Sequence, residues 1–523
     1  MILVYALHAA FAPPGERPTG FIQHDQAYYL ANAREMFDSR AFPFYSLPFS
    51  DDYASPAVYF QPLVAVLGAI VHLTGVDPGL LYAAFGVIAG VVAFYAALVL
   101  FDLYAGGRRD GAAAIARTVF LWGGGVLVAA ALVAEQFAPS GLPRGEAMLR
   151  FDPFQGYWFL NLGRNMIYPT EAFYHALFFA AIAGVLARRY ALAVVLLVVS
   201  SASHPFTGIQ LIAIVTTFAI GEMLLGRPER PPRWFAAACV VALGAHVAYY
   251  LLFLPRASPE HRVLEQQWRL AWTLPLLSML FAYGPAAAIA LQRFRRASVP
   301  ATLLADPKVR LALIWCAVSI LLAKHELFVS PRQPLHFTRG YIWTPIALLA
   351  APVFEGWLRR TIARGRVGIV LAAAVCLVAV ADNAAWFARQ SRQMVQHRSL
   401  ALYMPSEAPQ LFERLSAPDM NRRLLISDDA SIAYLALVYT PLRAWYSHPF
   451  NTPHAAERWA QSLAFFAGAP EPAEWQGRSL VIVVNTQTAN ADVPERLAAR
   501  GYAAAGRLGR FLIFQRGGPA GRS

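Results

Sequence analysis

The sequence predicts a mostly helical, polytopic membrane protein of about eleven spans that ends in a small extracytoplasmic α/β domain. Three observations carry this. Of 523 residues, 57% are hydrophobic and 14% are charged, whereas soluble domains carry about 25% charged residues; mean hydropathy is +0.43. The apolar residues fall in long blocks, such as Leu80–Leu103, Val119–Val133 and Val367–Ala381, and roughly 20 apolar residues suffice to cross about 30 Å of hydrocarbon. Between the blocks stand short arginine clusters, the pattern of orientation signals.

Those clusters absorb the net charge of +13, which excludes nucleic acid as the reason for it. They are Arg108/Arg109/Arg117, Arg188/Arg189, Arg227/Arg230/Arg233, Arg293/Arg295/Arg296 and Arg359/Arg360/Arg364/Arg366, and they mark the cytoplasmic side. The loops around 138–171, 203–206, 255–270 and 325–340 then lie outside, as does everything from about 389. Run backwards, the scheme requires Leu80–Leu103 to enter from outside. Residues 57–75 contain Gln61, Pro62 and His72 and are expected to stay at the outer face as an embedded or juxtamembrane helix. Residues 1–12 then form the first span and 13–76 one large outer loop. The expected domains are 1–388, a transmembrane bundle, and 389–523, a linker plus the α/β domain. Cys239, Cys316 and Cys376 all lie within apolar blocks and offer neither disulfide nor metal spacing. The abundance of Ala, Gly, Pro and Arg, with scarce Lys, suggests a bacterial source.

In the C-terminal region a helix is expected from Ser406-Glu407 to Leu415 with Ser406 as its N-cap. Leu424–Ser427 reads as a strand, Ala455–Phe466 as a helix and Leu480–Val484 as a buried strand. Val493–Arg500 reads as a helix stopped by Gly501, and Tyr502–Gln515 as alternating strand with Gly506 and Gly509 near a turn. No internal repeat of the transporter kind is visible.

The strongest local signal is His24-Asp25-Gln26-Ala27-Tyr28-Tyr29, running through Ala33-Arg34 to Met36. Asp25 precedes an amphipathic helix. It reads equally as a capping acid favoured by the helix dipole and as a carboxylate poised for general-base or metal chemistry. An Asp followed by a Tyr-Tyr-rich helix and an Ala-Arg pair resembles the first outer loop of GT-C glycosyltransferases, a group that includes protein O-mannosyltransferases, lipid A aminoarabinose transferases and oligosaccharyltransferase catalytic subunits. The Pro-containing stretch from Ser55-Pro56 to Pro62-Leu63 resembles the segment that follows in that loop. The resemblance covers about 13 residues in a specific motif and most of the chain in architecture. It implies that Asp25 is the catalytic carboxylate, with His24 and Tyr28 beside it at the substrate. Metal-dependent members place a divalent cation, Mg or Mn, on this Asp; the Asp-x-Asp of a metal site is absent here, and the metal stays open.

A second acid in the next outer loop is a feature of that family. Arg164-Asn165 through Glu171 to His175 places Glu171 and His175 one turn apart on one helix face. Glu171 is the candidate second catalytic acid, with Arg164 and His175 at the substrate; Asp152, before Pro153, is its rival or an ordinary turn residue. His204, His336 and Arg339 fall at the outer ends of apolar blocks. Each is either an interfacial residue or a ligand for sugar or phosphate. The expected reaction moves a sugar from a polyprenyl-phosphate donor to a lipid, glycan or protein acceptor outside a bacterial inner membrane, with membrane lipids the remaining partners. The alternatives are a lipid-linked-oligosaccharide ligase or polymerase of another fold, and a transporter or flippase of envelope lipids.

Overall fold

The computed structural model describes residues 2–39, 41–142, 144–152, 154, 156, 162–226, 230–296, 300–397 and 399–516. Pro153 and Arg227 of the sequence expectations lie outside them. The chain is mostly helical, with a small sheet region near its C-terminus. Its contacts group it into two units. One comprises Phe85–Tyr249 and Arg269–Arg392, the other Ile2–Ala84, Tyr250–Trp268 and Gln393–Ser523. The sequence reading had divided the chain once, after residue 388, and had put the first loop with the helical bundle.

Among the described residues, five helices are long and apolar enough to cross a membrane: Pro78–Ala105, Pro169–Leu186, Pro205–Leu224, Arg233–Ala257 and Arg366–Gln396. Three of them begin on proline, whose missing N–H costs nothing in the first helical turn. Gly111–Trp122 and Leu127–Phe137 make a sixth candidate bent by 70°. Other expected crossings are shorter or more polar: Tyr190–Ser203 has 14 residues, and Leu276–Arg296 ends in Gln-Arg-Phe-Arg-Arg.

In the first unit the bend has a local cause. Gly123, Gly124 and Gly125 interrupt the helix, and Gly125 takes φ +103° against the Ala282 backbone, where a Cβ would meet atoms 2.5 Å away. The freed amides of Leu127 and Val128 donate to Asp382, at 3.1 and 2.8 Å. Asp382 is fully buried and serves as the cap that apolar surroundings demand for exposed backbone. Nearby packing is aromatic: Phe178 stacks on Tyr341 at 4.2 Å between ring centroids and tilts against Trp315 at 5.3 Å.

The second unit joins the N-terminal loop to the C-terminal domain. Strand β1 (Glu16–Pro18) pairs antiparallel with β2 (Tyr403–Pro405). A five-stranded sheet follows, built from β3 (Leu424–Ser427), β4 (Arg443–Ala444), β5 (Leu480–Asn485), β6 (Ala503–Leu508) and β7 (Phe511–Arg516) in the order β4-β3-β5-β7-β6. β3 runs parallel to β4 and β5; β7 runs antiparallel to β5 and β6. The expected strands and helices of this region are present, with Gly509 in the β6–β7 turn at φ +55°. The expected cap is not: the helix starts at Ala408 after Glu407, and Ser406 instead donates its hydroxyl to the Gly15 carbonyl.

Helix Gln26–Asp38 packs on Pro62–Thr74 and on Ala430–Tyr439. Pro62–Thr74 has 13 residues, about 20 Å at 1.5 Å per residue, too short for a crossing of about 30 Å. Ile2–Ala10 has nine, about 14 Å. Buried ion pairs fasten the loop to the sheet. Arg443 Nη2 lies 2.8 Å from Glu35 Oε1 and 2.7 Å from Ser46 Oγ, and Arg443 Nη1 donates to the Asp52 carbonyl. Asp51 meets Arg458 at 2.6 Å and pairs with Arg478.

Removing one partner of a buried pair strands the other. Arg443→Ala should therefore lower stability by roughly 3–5 kcal/mol, read as the shift in urea-dependent proteolysis of this unit. A second expectation concerns Asp428, which follows β3. Burial pushes its carboxyl up to about 6 against the hydrogen bonds from Asn485 N–H and Thr488 Oγ. The folded state then binds the proton more tightly than the unfolded state. Its stabilising contribution is complete below pH ~4 and is lost as pH rises through about 6. Asp428→Asn should flatten the decline in melting temperature between pH 5 and pH 7.

Candidate functional sites

In the loop–sheet unit, Asp25 occupies the N-cap position of Gln26–Asp38 but accepts no capping hydrogen bond. The helix dipole still favours an acid at this position, but the side chain satisfies no backbone N–H of the helix. Its carboxylate turns to side chains instead. Oδ1 stands 3.3 Å from His24 Nε2 and 3.2 Å from His448 Nε2, and Oδ2 accepts 2.8 Å from Gln23 Nε2.

The tautomer of His448 follows from its other nitrogen. Nδ1 accepts the backbone N–H groups of Phe450 and Asn451 at 3.1 and 3.2 Å, so the proton of a neutral ring sits on Nε2 and faces Asp25. His448 is fully buried. Phe49 and Tyr434 set their rings edge-on to it, at 6.0 and 5.0 Å, and Tyr28 stacks on Phe49 at 5.3 Å.

These surroundings set the charges. Burial raises the Asp25 carboxyl, but His24 and His448, which carry charge in the acid range where this carboxyl titrates, and the Gln23 amide outweigh it and hold the group well below the usual carboxylate range. Burial lowers His448 below the ordinary histidine value, against the pull of Asp25. At neutral pH the pair is an anion facing a neutral imidazole. A carboxylate has about four acceptor positions; Gln23 and the two histidines approach from three sides. The side chain stays 48% exposed, so the carboxylate can be reached by a hydroxyl.

The other predicted residues gather in the helical unit. Glu171 Oε1 pairs with Arg339 Nη1 at 2.7 Å and lies 3.9 Å from Arg164 Nη1. All three are buried. Arg339 takes φ +20° and Gly340 φ +77°, a turn that aims the guanidinium at Glu171 while its carbonyl receives Asn165 Nδ2 at 3.2 Å. His175 spans the same turn: Nδ1 lies 2.7 Å from the Glu171 carbonyl and Nε2 2.7 Å from that of Arg339. Its role here is a tether between the helix and the turn. His336 Nδ1 sits 2.7 Å from Arg339 Nη2, so this nitrogen accepts. His204 caps Pro205–Leu224 by accepting the Thr207 N–H on Nδ1, and its ring lies parallel to His336 at 6.3 Å. Asp152, the rival acid, is buried and acts electrostatically on Arg164.

Among the described residues, no group of three or more His, Cys, Asp or Glu is arranged to hold a metal ion. Gln23 and His448 are site residues that the sequence does not single out. One signal could have found His448: Ser-His-Pro-Phe occurs twice, at 203–206 and 447–450. In both copies the histidine Nδ1 accepts backbone N–H from the turn that follows, which leaves an Nε2 donor.

Because the Asp25 carboxyl is depressed, its contribution to stability is present above pH ~4 and is lost as pH falls through its lower folded value. Asp25→Asn should therefore melt below wild type at pH 7, and the gap should narrow only in strong acid. Intrinsic fluorescence during heating at pH 7, 5 and 3 checks this; a gap that vanishes by pH 5 contradicts the assignment. Compared with protein-family models and with curated proteins, the chain matches none.

Proposed function

We propose that this protein is a membrane glycosyltransferase that moves a sugar from a polyprenyl-phosphate donor to an acceptor hydroxyl, with Asp25 as the catalytic carboxylate. The observation that carries the reading is the Asp25 group: a half-exposed carboxylate at a helix start, making no cap hydrogen bond, approached by Gln23, His24 and His448 and bordered by aromatic rings. Long apolar helices are consistent with an integral membrane protein. The proposal adds about eleven crossings, a GT-C-like bundle, a bacterial inner membrane and an outer location for the sheet domain.

The acceptor hydroxyl would hydrogen-bond to the exposed part of the Asp25 carboxylate. As its oxygen bonds to the anomeric carbon, the carbon–oxygen bond to the phosphate breaks and its electron pair leaves with the phosphate, which inverts the configuration. A carboxylate of such low basicity takes the proton late, when partial bonding has already made the hydroxyl acidic. That timing suits a transition state with oxocarbenium character. Neutral His448 has no acceptor left on Nδ1 and donates toward Asp25, so it is a positioning residue. Within the helical unit taken by itself, Arg339 and Arg164 beside Glu171 form a cationic group of the kind that binds a phosphate.

Asp25→Asn should insert and fold yet lose transfer from a sugar-phosphate polyprenol by about 10²–10⁴-fold, the range for one general base. His448→Gln keeps a donor toward Asp25 and should retain more activity than His448→Ala. Transfer is measured in proteoliposomes as release of polyprenyl phosphate. Unchanged turnover in Asp25→Asn would remove the proposal.

A further inference from the structure

The helical unit contains a feature that the proposed reaction does not use. A cavity of about 340 Å³ opens beside the bent helix and is lined almost wholly by apolar atoms. A second space of about 220 Å³ shares Ile289, Phe354 and Val375 with it and ends at Gln292 and Arg360. One helix face runs along both: Trp343, Ala347, Ala350, Phe354, Trp357 and Arg360, spaced three or four residues apart as a single face requires. These 17 residue steps correspond to about 26 Å. Opposite them, Ala374, Val378 and Ala379 are too small to close the gap.

The groove is thus apolar for most of its length and cationic at one end. Its arginine differs from its neighbour. Arg359 is bound to Asp110 at 3.0 Å and to Glu355 at 2.9 Å. Arg360 is exposed and has no carboxylate partner among the described residues. A long apolar channel ending in a guanidinium without a counter-charge matches an acyl chain that carries an anionic phosphate headgroup. We propose that this groove is a binding site for one anionic phospholipid, with an acyl chain against Ala347 and Ala350 and its phosphate on Arg360. The bent helix is the element that such a chain would hold in place: Gly125 and Val126, at its break, line the cavity.

The test uses the full chain purified in detergent and native mass spectrometry with phosphatidylglycerol and phosphatidylcholine of equal chain length. Wild type should retain one phosphatidylglycerol in preference to phosphatidylcholine. Arg360→Gln should reduce that preference by about fivefold, the effect of one basic residue on anionic-lipid binding. Arg364→Gln, which removes an exposed arginine outside the groove, should leave the preference unchanged. Ala350→Phe should fill the cavity and lower occupancy by both lipids while the melting temperature is kept. Equal losses from the two arginine variants, full occupancy in Ala350→Phe, or displacement of phosphatidylglycerol by an equal amount of polyprenyl phosphate would each overturn the proposal. None of these readouts involves sugar transfer, so the assignment of Asp25 stands or falls separately.

Discussion

The buried pair between Glu35 and Arg443 is the constraint on which the loop–sheet unit depends. Glu35 lies on the helix that begins immediately after Asp25, and Arg443 opens β4, five residues before His448. One ion pair therefore clamps the two segments that bring Asp25 and His448 together. Its geometry meets the condition under which a buried charge is tolerable: Arg443 is met by a carboxylate, a hydroxyl and a backbone carbonyl. Asp51, with its two arginines, holds the next stretch of the same loop. The loop is thus fixed from two sides by charges that would be costly to leave alone.

The helical unit solves a related problem in apolar surroundings. Where the backbone is broken, Asp382 accepts the exposed amides. Where the chain turns at Arg339, His175 and Asn165 bind the turn's carbonyl, and Glu171 neutralises its guanidinium. Buried polar groups are expensive unless partnered. Here much of the polarity serves the fold directly. His175 is the clear example, since both of its ring nitrogens face backbone carbonyls and its N–H donates to one of them.

The chemistry proposed for Asp25 follows from how its charge is maintained. An isolated half-buried carboxylate would tend to take up a proton. His24, His448 and Gln23 reverse that tendency and leave the group ionised with one open approach. The arrangement trades basicity for constant charge, which favours a reaction that builds positive charge on the sugar before the proton moves.

Periodicity and composition determined much of the fold. The apolar blocks, the proline-started helices, the strands at 424–427 and 480–484 and the helix at 455–466 are local, because hydrophobic spacing and turn residues act within a few positions. Glu171 was legible because an acid stands out at the start of an apolar block, and Asp25 because it directly precedes the Tyr-Tyr-rich amphipathic helix. The partners were not. His448 lies 423 positions from Asp25 and Arg443 408 positions from Glu35, and nothing local records that β1 pairs with β2 or that the first loop folds onto the C-terminal sheet. The expected Ser406 cap rested on a local signal, and contact with the first loop decided it. Sequence determined which residues carry charge and which segments form elements; tertiary structure decided which charges meet, because a pairing energy depends on distance in space and not on separation along the chain.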